Sequence, residues 1–274
     1  ENIGIDTEGE ILWQKNSNDF LQNSEFSANN LSPDFVDIDS DEDFDLFIGD
    51  FNGLVHYFNN VGDANNPIMK YQGTIDNIDL SGYSHPEFID IDNDEDYDLL
   101  IGHMSGTIFY YENIGDKYSY DFILSDDNFL NIDVGFRSTV LSLNYNCKID
   151  FVISNGYGDI YYYKNNDNDE YVLDNEFSIP FLGLNVSLDY YNDNNFKGLL
   201  AGNSTGGFYF LNSLNSDLIG DLNLDQIINV VDIVTLVQSI LDGGEYTCSY
   251  DLNEDNIINV VDIITLVNLI LSPS

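Results

Sequence analysis

Over residues 1–215 the apolar positions fall in short runs dominated by Val, Ile, Tyr and Phe, with Gly and Asn between them. Runs of this kind predict β-strands. In one stretch they are Phe88–Ile91, Leu99–Gly102 and Thr107–Glu112, followed by a less regular run. The pattern changes near the C-terminus. There Ile233, Leu236, Val237, Ile240 and Leu241 follow helical spacing, as do Ile263, Leu266, Val267, Ile270 and Leu271. The two stripes predict a pair of helices packed on each other. The chain is read as mainly β over residues 1–215, with a small all-α domain over 216–274.

Both parts are internally repetitive. Residues 35–63 recur as 88–116, an offset of 53. A third copy is recognisable at 150–168 and a fourth at 198–213, and the opening Glu-Asn-Ile-Gly matches Glu112 to Gly115. Short strands repeating at this period predict β-propeller blades, here four repeats plus a partial one. The chain starts without Met and at the tail of a repeat, so it is read as a piece of a larger propeller. Further blades close that ring, or the piece forms an open arc. In the tail, residues 221–241 recur as 251–271 with 16 of 21 positions identical. Gly243 is expected to end the first helix.

The polar positions carry chemistry. Asp37, Asp39, Asp41, Asp43 and Asp45 alternate with other residues between two predicted strands, and Asp90, Asp92, Asp94, Asp96 and Asp98 repeat the arrangement. Unit charges about 4 Å apart repel by about 4 kcal/mol at an effective dielectric near 20, so such crowding calls for a cation. Each tail repeat also opens with alternating oxygen-bearing residues. Counting Asp221 as position 1 of a twelve-residue calcium loop puts Asn223, Asp225, Ile227, Asn229 and Asp232 at positions 3, 5, 7, 9 and 12. The second copy offers Asp251, Asn253, Asp255, Ile257, Asn259 and Asp262. Ile227 and Ile257 would contribute only their carbonyls. No soft ligand is present in either loop, which argues for Ca²⁺ over zinc. Position 6, usually Gly because φ is positive there, holds Gln226 and Asn256.

The tail resembles a type I dockerin, with two EF-hand-type calcium loops and internal two-fold symmetry. The resemblance implies docking onto a cohesin domain, with Val230, Val231, Val260 and Val261 at the partner-selecting positions. Many members carry hydroxyl residues there, so valines suggest an apolar partner surface, a cohesin-like domain or the protein's own propeller. Residues 1–215 resemble FG-GAP/VCBS repeats, the blades of integrin α-subunit heads, most clearly over 35–63 and 88–116. That resemblance implies calcium held by Asp37, Asp39, Asp41 and Asp45 with the Asp43 carbonyl, and by Asp90, Asp92, Asp94 and Asp98 with the Asp96 carbonyl. Glu42 and Glu95 replace the family's Gly. The third repeat aligns Ser142, Asn144, Asn146 and Asp150 with the ligand positions and has Lys148 nearby, and the fourth has Lys197 and Gly198 at the closing positions. No calcium is expected in either, so the chain should bind about four Ca²⁺, one per intact loop.

Seven basic residues against 49 acidic ones give a net charge of −42. Such a surface repels nucleic acid and anionic membranes. The longest apolar runs carry Asp232 and Asp262 and are too short for membrane insertion. The four loops hold 19 of the 49 acidic residues, so acidity extends beyond them and suits a secreted or cell-surface protein. There is no nucleophile elbow, HExxH or phosphate loop, and His56, His85 and His103 read as structural or exposed. Whether the whole protein is an enzyme stays open, but this part reads as non-catalytic. The expected function is an extracellular binding or adhesion module for a glycan or protein, tethered through its tail. Tyr57–Phe58, Tyr110–Tyr111 and Tyr161–Tyr163 are candidate sugar-stacking faces. The alternative is an accessory part of a polysaccharide-degrading enzyme in a cohesin–dockerin assembly.

Overall fold

The computed structural model describes residues 2–5, 11–13, 21, 26–145, 148–166, 170–192, 197–211, 220–223, 225, 227–243, 248–253 and 257–271. Asn146, Gln226, Asp255 and Asn256 lie outside the described residues, as does the expected domain boundary at 215/216. The chain divides into two compact units, Glu1–Asp133 and Val134–Ser274.

In the first unit, β1 (Asn2–Ile5) and β2 (Ile11–Trp13) form a small antiparallel pair. Strands β3 (Ser32–Val36), β4 (Asp45–Gly49), β5 (Val55–Asn60) and β6 (Met69–Thr74) make one antiparallel sheet in chain order. Strands β7 (Ser84–Ile89), β8 (Asp98–His103), β9 (Ile108–Asn113) and β10 (Phe122–Asp126) make a second in the same order. Each is a meander of propeller-blade type. Strand β7 begins before the expected Phe88, because Ser84 pairs with His103 at the far end of β8.

The sequence of β4, Asp-Leu-Phe-Ile-Gly, is buried throughout. An unbroken apolar run needs cover on both faces. Phe47 packs on Phe88 of the next sheet, ring centroids 4.4 Å apart, in a core with Val36, Val55, Leu99 and Ile101. Leu46, Ile48 and Phe58 pack on Met69 and Phe26. Burying a side chain such as Phe47 stabilises by about 1.5–3 kcal/mol. Polar ties join the two sheets. Asp34 of β3 accepts from the Phe88 backbone N–H at 2.9 Å, and the Ser84 hydroxyl donates to the Leu54 carbonyl at 2.7 Å. Gly49 sits where a Cβ would lie 2.2 Å from the Ser84 carbonyl oxygen, so no larger residue fits.

In the second unit, β11 (Thr139–Tyr145), β12 (Lys148–Ser154), β13 (Ile160–Asn165) and β14 (Tyr171–Leu173) form a third sheet. Strands β15 (Ser187–Asn192), β16 (Lys197–Gly202) and β17 (Phe208–Leu211) form the next. Leu143, Val152, Val186, Leu188 and Leu199 build the shared core. The third repeat departs from its expected alignment. Ser142 and Asn144 are strand residues facing Phe151 and Ile149, and Tyr145 pairs directly with Lys148. Strand pairing runs on to Tyr145 and Lys148, where the first two repeats have already left their strands for the acidic loop.

Two helices follow, α1 (Val230–Asp242) and α2 (Val260–Leu271). Gly243 ends α1 at φ 61°. Leu236 and Leu266 are fully buried, whereas Leu241 and Leu271 at the helix ends are exposed. The stripes therefore bury at their centres. Among the described residues no helix is long and apolar enough to cross a membrane.

Candidate functional site

The acidic loops begin where β3 and β7 end and close at the first residue of β4 and β8. Both fold the same way. Asp37 Oδ1 accepts from the Asp41 N–H at 3.0 Å and Oδ2 from Glu42 at 3.1 Å, while Asp41 Oδ1 accepts from Asp43 at 3.1 Å. In the second loop Asp90 accepts from Asp94 at 3.2 Å and Glu95 at 3.1 Å, and Asp94 from Asp96 at 3.1 Å. These turns gather carboxylates. Asp37, Asp39 and Asp41 place ligand oxygens within 4.8 Å of one another, as do Asp90, Asp92 and Asp94.

Position 6 keeps a left-handed backbone without its glycine, with φ 71° at Glu42 and 73° at Glu95. Position 4 does the same at Ser40 (55°) and Asn93 (61°). Left-handed conformation costs a non-glycine residue about 1–2 kcal/mol. Like-charge crowding and local strain thus coincide in both loops.

The electrostatics fit a hard cation. Burial pushes the Asp39 carboxyl above the usual range, and the charges of Asp41 and Asp37 push it further. Its Oδ1 is a buried oxygen with no hydrogen-bond donor. Asp96 reaches about 6 through burial and then through Asp94, Asp98, Asp92 and Asp90. Asp43 and Asp90 are also raised, chiefly by burial. Every donor at hand is an oxygen, the set that Ca²⁺ prefers. The ligating residues would be Asp37, Asp39 and Asp41 in one loop and Asp90, Asp92 and Asp94 in the other.

The closing residues Asp45 and Asp98 do something further. Asp45 accepts from the Asn60 N–H at 2.6 Å and the Tyr57 hydroxyl at 3.1 Å, latching the loop to β5. Asp98 accepts from Asn113 at 2.8 Å and Tyr110 at 3.2 Å on β9. Asp150 makes the same latch with Asn165 at 2.7 Å and Tyr162 at 2.6 Å, although its blade has no acidic loop. The latch is therefore a property of the blade. Burial drives both Asp45 and Asp98 to about 6, against the lowering effect of these hydrogen bonds.

In the tail, the position-12 carboxylates anchor the described parts of each loop. Asp232 accepts from Leu222 (2.9 Å), Asn223 (3.2 Å) and Asn229 (2.8 Å), and Asp262 from Leu252 (2.8 Å), Asn253 (3.3 Å) and Asn259 (2.8 Å). Both are fully buried. Asn229 caps α1 by accepting from Val231 at 2.8 Å, and Asn259 does the same for Val261. Asp225 accepts from the Ile227 N–H at 2.9 Å, and its own N–H donates to Asp221 at 3.1 Å. Asp251 is buried like Asp221, and Ile257 is exposed like Ile227. Val230, Val231, Val260 and Val261 are all exposed, as are Val234 and Ile264 one turn on.

The candidate sugar-stacking pairs are mostly not available as surfaces. Phe58 and Tyr111 are buried in cores, and Tyr57, Tyr110, Tyr161 and Tyr163 are half-buried. A different aromatic group is exposed in the second unit. Tyr157 and Phe181 are open to solvent, and Phe136 touches Tyr157 with centroids 5.7 Å apart. Phe136 and Phe181 lie against Gly156 and Gly158 of one turn. These residues come from three separate segments, so no local pattern marks them.

Sequence reasoning also missed a turn clamp. Asn155 Oδ1 accepts from Tyr157 and Asp159, both at 3.0 Å, while its Nδ2 donates back to the Val134 carbonyl at 3.0 Å. Asn203 repeats this with Thr205, Gly207 and the Leu182 carbonyl. His103 bonds Ser105 and the Leu80 carbonyl at 2.9 Å in the corresponding turn. Buried His56 bridges Tyr71 (2.9 Å) and Asp50 (3.4 Å). These contacts give His56 and His103 structural roles. No family model matches the chain, and no curated protein matches it.

Proposed function

We propose that this protein is a secreted, calcium-dependent, non-catalytic binding module of the FG-GAP/VCBS type, with a dockerin-like docking tail. The supporting observation is the acidic loop built twice with one hydrogen-bond pattern, each gathering three carboxylates within 4.8 Å. Bound calcium would neutralise that crowding. The chain's own residues then hold the turns, latch each loop to its sheet and bring the sheet faces together. Stability should rise with free calcium, because the ion binds the folded state. The exposed valines on α1 and α2 support docking to an apolar, cohesin-like surface. A second reading, an accessory part of a polysaccharide-degrading assembly, is favoured by the exposed Tyr157 and Phe181 rings, which suit stacking on sugars.

The test is calcium titration calorimetry on the chelated chain, with circular dichroism in parallel. One ion per loop, with helix growing as the tail sites fill, is expected. An absence of binding at millimolar calcium would sink the reading. Val231→Asp with Val261→Asp should abolish cohesin capture and leave calcium binding intact.

A further inference from the structure

The third blade departs from its repeats at one corner. In each blade the turn after the second strand has a glycine with positive φ: Gly53, Gly106, Gly158 and Gly206. The residue before that glycine is Asn52, Ser105 or Thr205 in the other blades, but Tyr157 here. The residue before that is Phe51, Met104 or Ser204 elsewhere, but here it is Gly156. A Cβ on Gly156 would lie 2.6 Å from Cδ1 of Phe136, so the glycine clears a seat for that ring. A Cβ on Gly158 would likewise meet Cε2 of Phe181 at 2.7 Å. Phe136 backs Tyr157, whereas Tyr157 and Phe181 themselves are 59% and 69% exposed.

The remaining departure is a charge. Ser32 pairs with Gly49, Thr139 with Ser154 and Ser187 with Gly202. Two residues ahead of these pairs stand Asn30, Arg137 and Asn185, all at φ 51°. Asn tolerates a left-handed backbone because its short side chain bonds locally, an aid that Arg lacks. Strained backbone of this kind collects at ligand clamps. Arg137 is also the only arginine in a chain of net charge −42. Its Nη1 donates to Asn185 Oδ1 at 3.1 Å, and the Asn185 N–H donates to the Gly156 carbonyl at 3.2 Å. These bonds hold the guanidinium beside the segment that is tied to the Tyr157 turn.

We propose that this corner binds a sugar bearing a carboxylate, a uronate within a glycan chain. The Tyr157 and Phe181 rings take the C–H faces of the pyranose, and Arg137 takes the carboxylate. A planar guanidinium fork grips a carboxylate in a way that the Asn amide of the other blades does not. The inference rests on the sugar-stacking reading of the two rings and adds the charge of the ligand. The rings alone would accept a neutral sugar, and the arginine selects the acidic one.

Titration calorimetry of the full chain at fixed calcium tests this. The probes are short oligomers of galacturonate, mannuronate and glucuronate, each beside its carboxyl-reduced neutral form. At least one acidic oligomer should bind about tenfold or more tighter than its reduced form. Arg137→Asn and Tyr157→Ser each supply a residue that another blade carries at that place, so both should fold, with the urea midpoint as the check. Arg137→Asn should erase the preference for the acid and leave the affinity for the neutral form unchanged. Tyr157→Ser should weaken both forms. If Arg137→Asn does not fold, Tyr157→Ser and the acid-to-neutral ratio of the wild type still decide. Equal affinity for acidic and reduced oligomers overturns the proposal and leaves the stacking reading standing, whereas binding of neither form overturns both. Acid binding that survives Arg137→Asn also overturns it. The acidic loops are intact in that variant, so a uronate bridged through their calcium would persist.

Discussion

Under chelation, the latch carboxylates should make this protein more tolerant of mild acid. Asp45 and Asp98 are 1% and 2% exposed, and burial raises each from 3.8 to about 6. A carboxyl with a raised folded pKa holds its proton more tightly folded than unfolded. Its stabilising contribution is full below 3.8 and is lost as pH rises through about 6. The shift amounts to about 3 kcal/mol per group at neutral pH, of which about 1 kcal/mol returns on going from about pH 7 to about pH 5. His85 acts oppositely. Burial lowers it from 6.5 to about 4, so its neutral form loses stability as pH falls through that range. Comparison with a variant removes that background. Asp45→Asn with Asp98→Asn keeps an acceptor for the Asn60 and Asn113 N–H groups and cannot ionise. In urea unfolding with chelator, the wild type should gain about 2 kcal/mol more than the variant between about pH 7 and about pH 5. Equal pH slopes in the two proteins, or a steeper gain in the variant, would refute the argument. Saturating calcium should shrink the difference.

Other substitutions probe separate parts of the fold. Glu42→Gly relieves the φ of 71° and should raise the urea midpoint of the chelated chain by the equivalent of about 0.5–1 kcal/mol; a lower midpoint would show that the loop is not strained there. Asn155→Ala leaves the Tyr157 and Asp159 N–H groups and the Val134 carbonyl without their partner, and should cost about 2–4 kcal/mol in the same assay. Asp232→Ala with Asp262→Ala removes the anchor of each tail loop. Far-ultraviolet circular dichroism should lose its helical component and keep its β component, and an unchanged spectrum would contradict that anchoring role.

The blades were legible because each repeat restates its strands and its Asp alternation in the same order. The acidic loops were legible for the same reason, down to the strained position 6, which the missing glycine flagged. The limits appear where one job is done by different residues. Asn155, Asn203 and His103 clamp equivalent turns, yet an amide and an imidazole share no pattern that a repeat comparison detects. The strand pairing through Ser142, Asn144 and Tyr145 escapes the sequence because the alignment is held by Asp150, which keeps its latch although no acidic loop precedes it. Phe136, Tyr157 and Phe181 meet only in three dimensions.

The persistence of that latch in the third blade separates two inheritances. Asp45, Asp98 and Asp150 hold the same bonds whether an acidic loop or a continued strand pairing precedes them. The blade is thus a socket, and the acidic loop a cartridge seated in it. Grafting residues 37–44 in place of 144–149 should find the receiving carboxylate already in position. A repeat chain organised this way can acquire or discard an acidic loop one blade at a time, without redesigning its sheets.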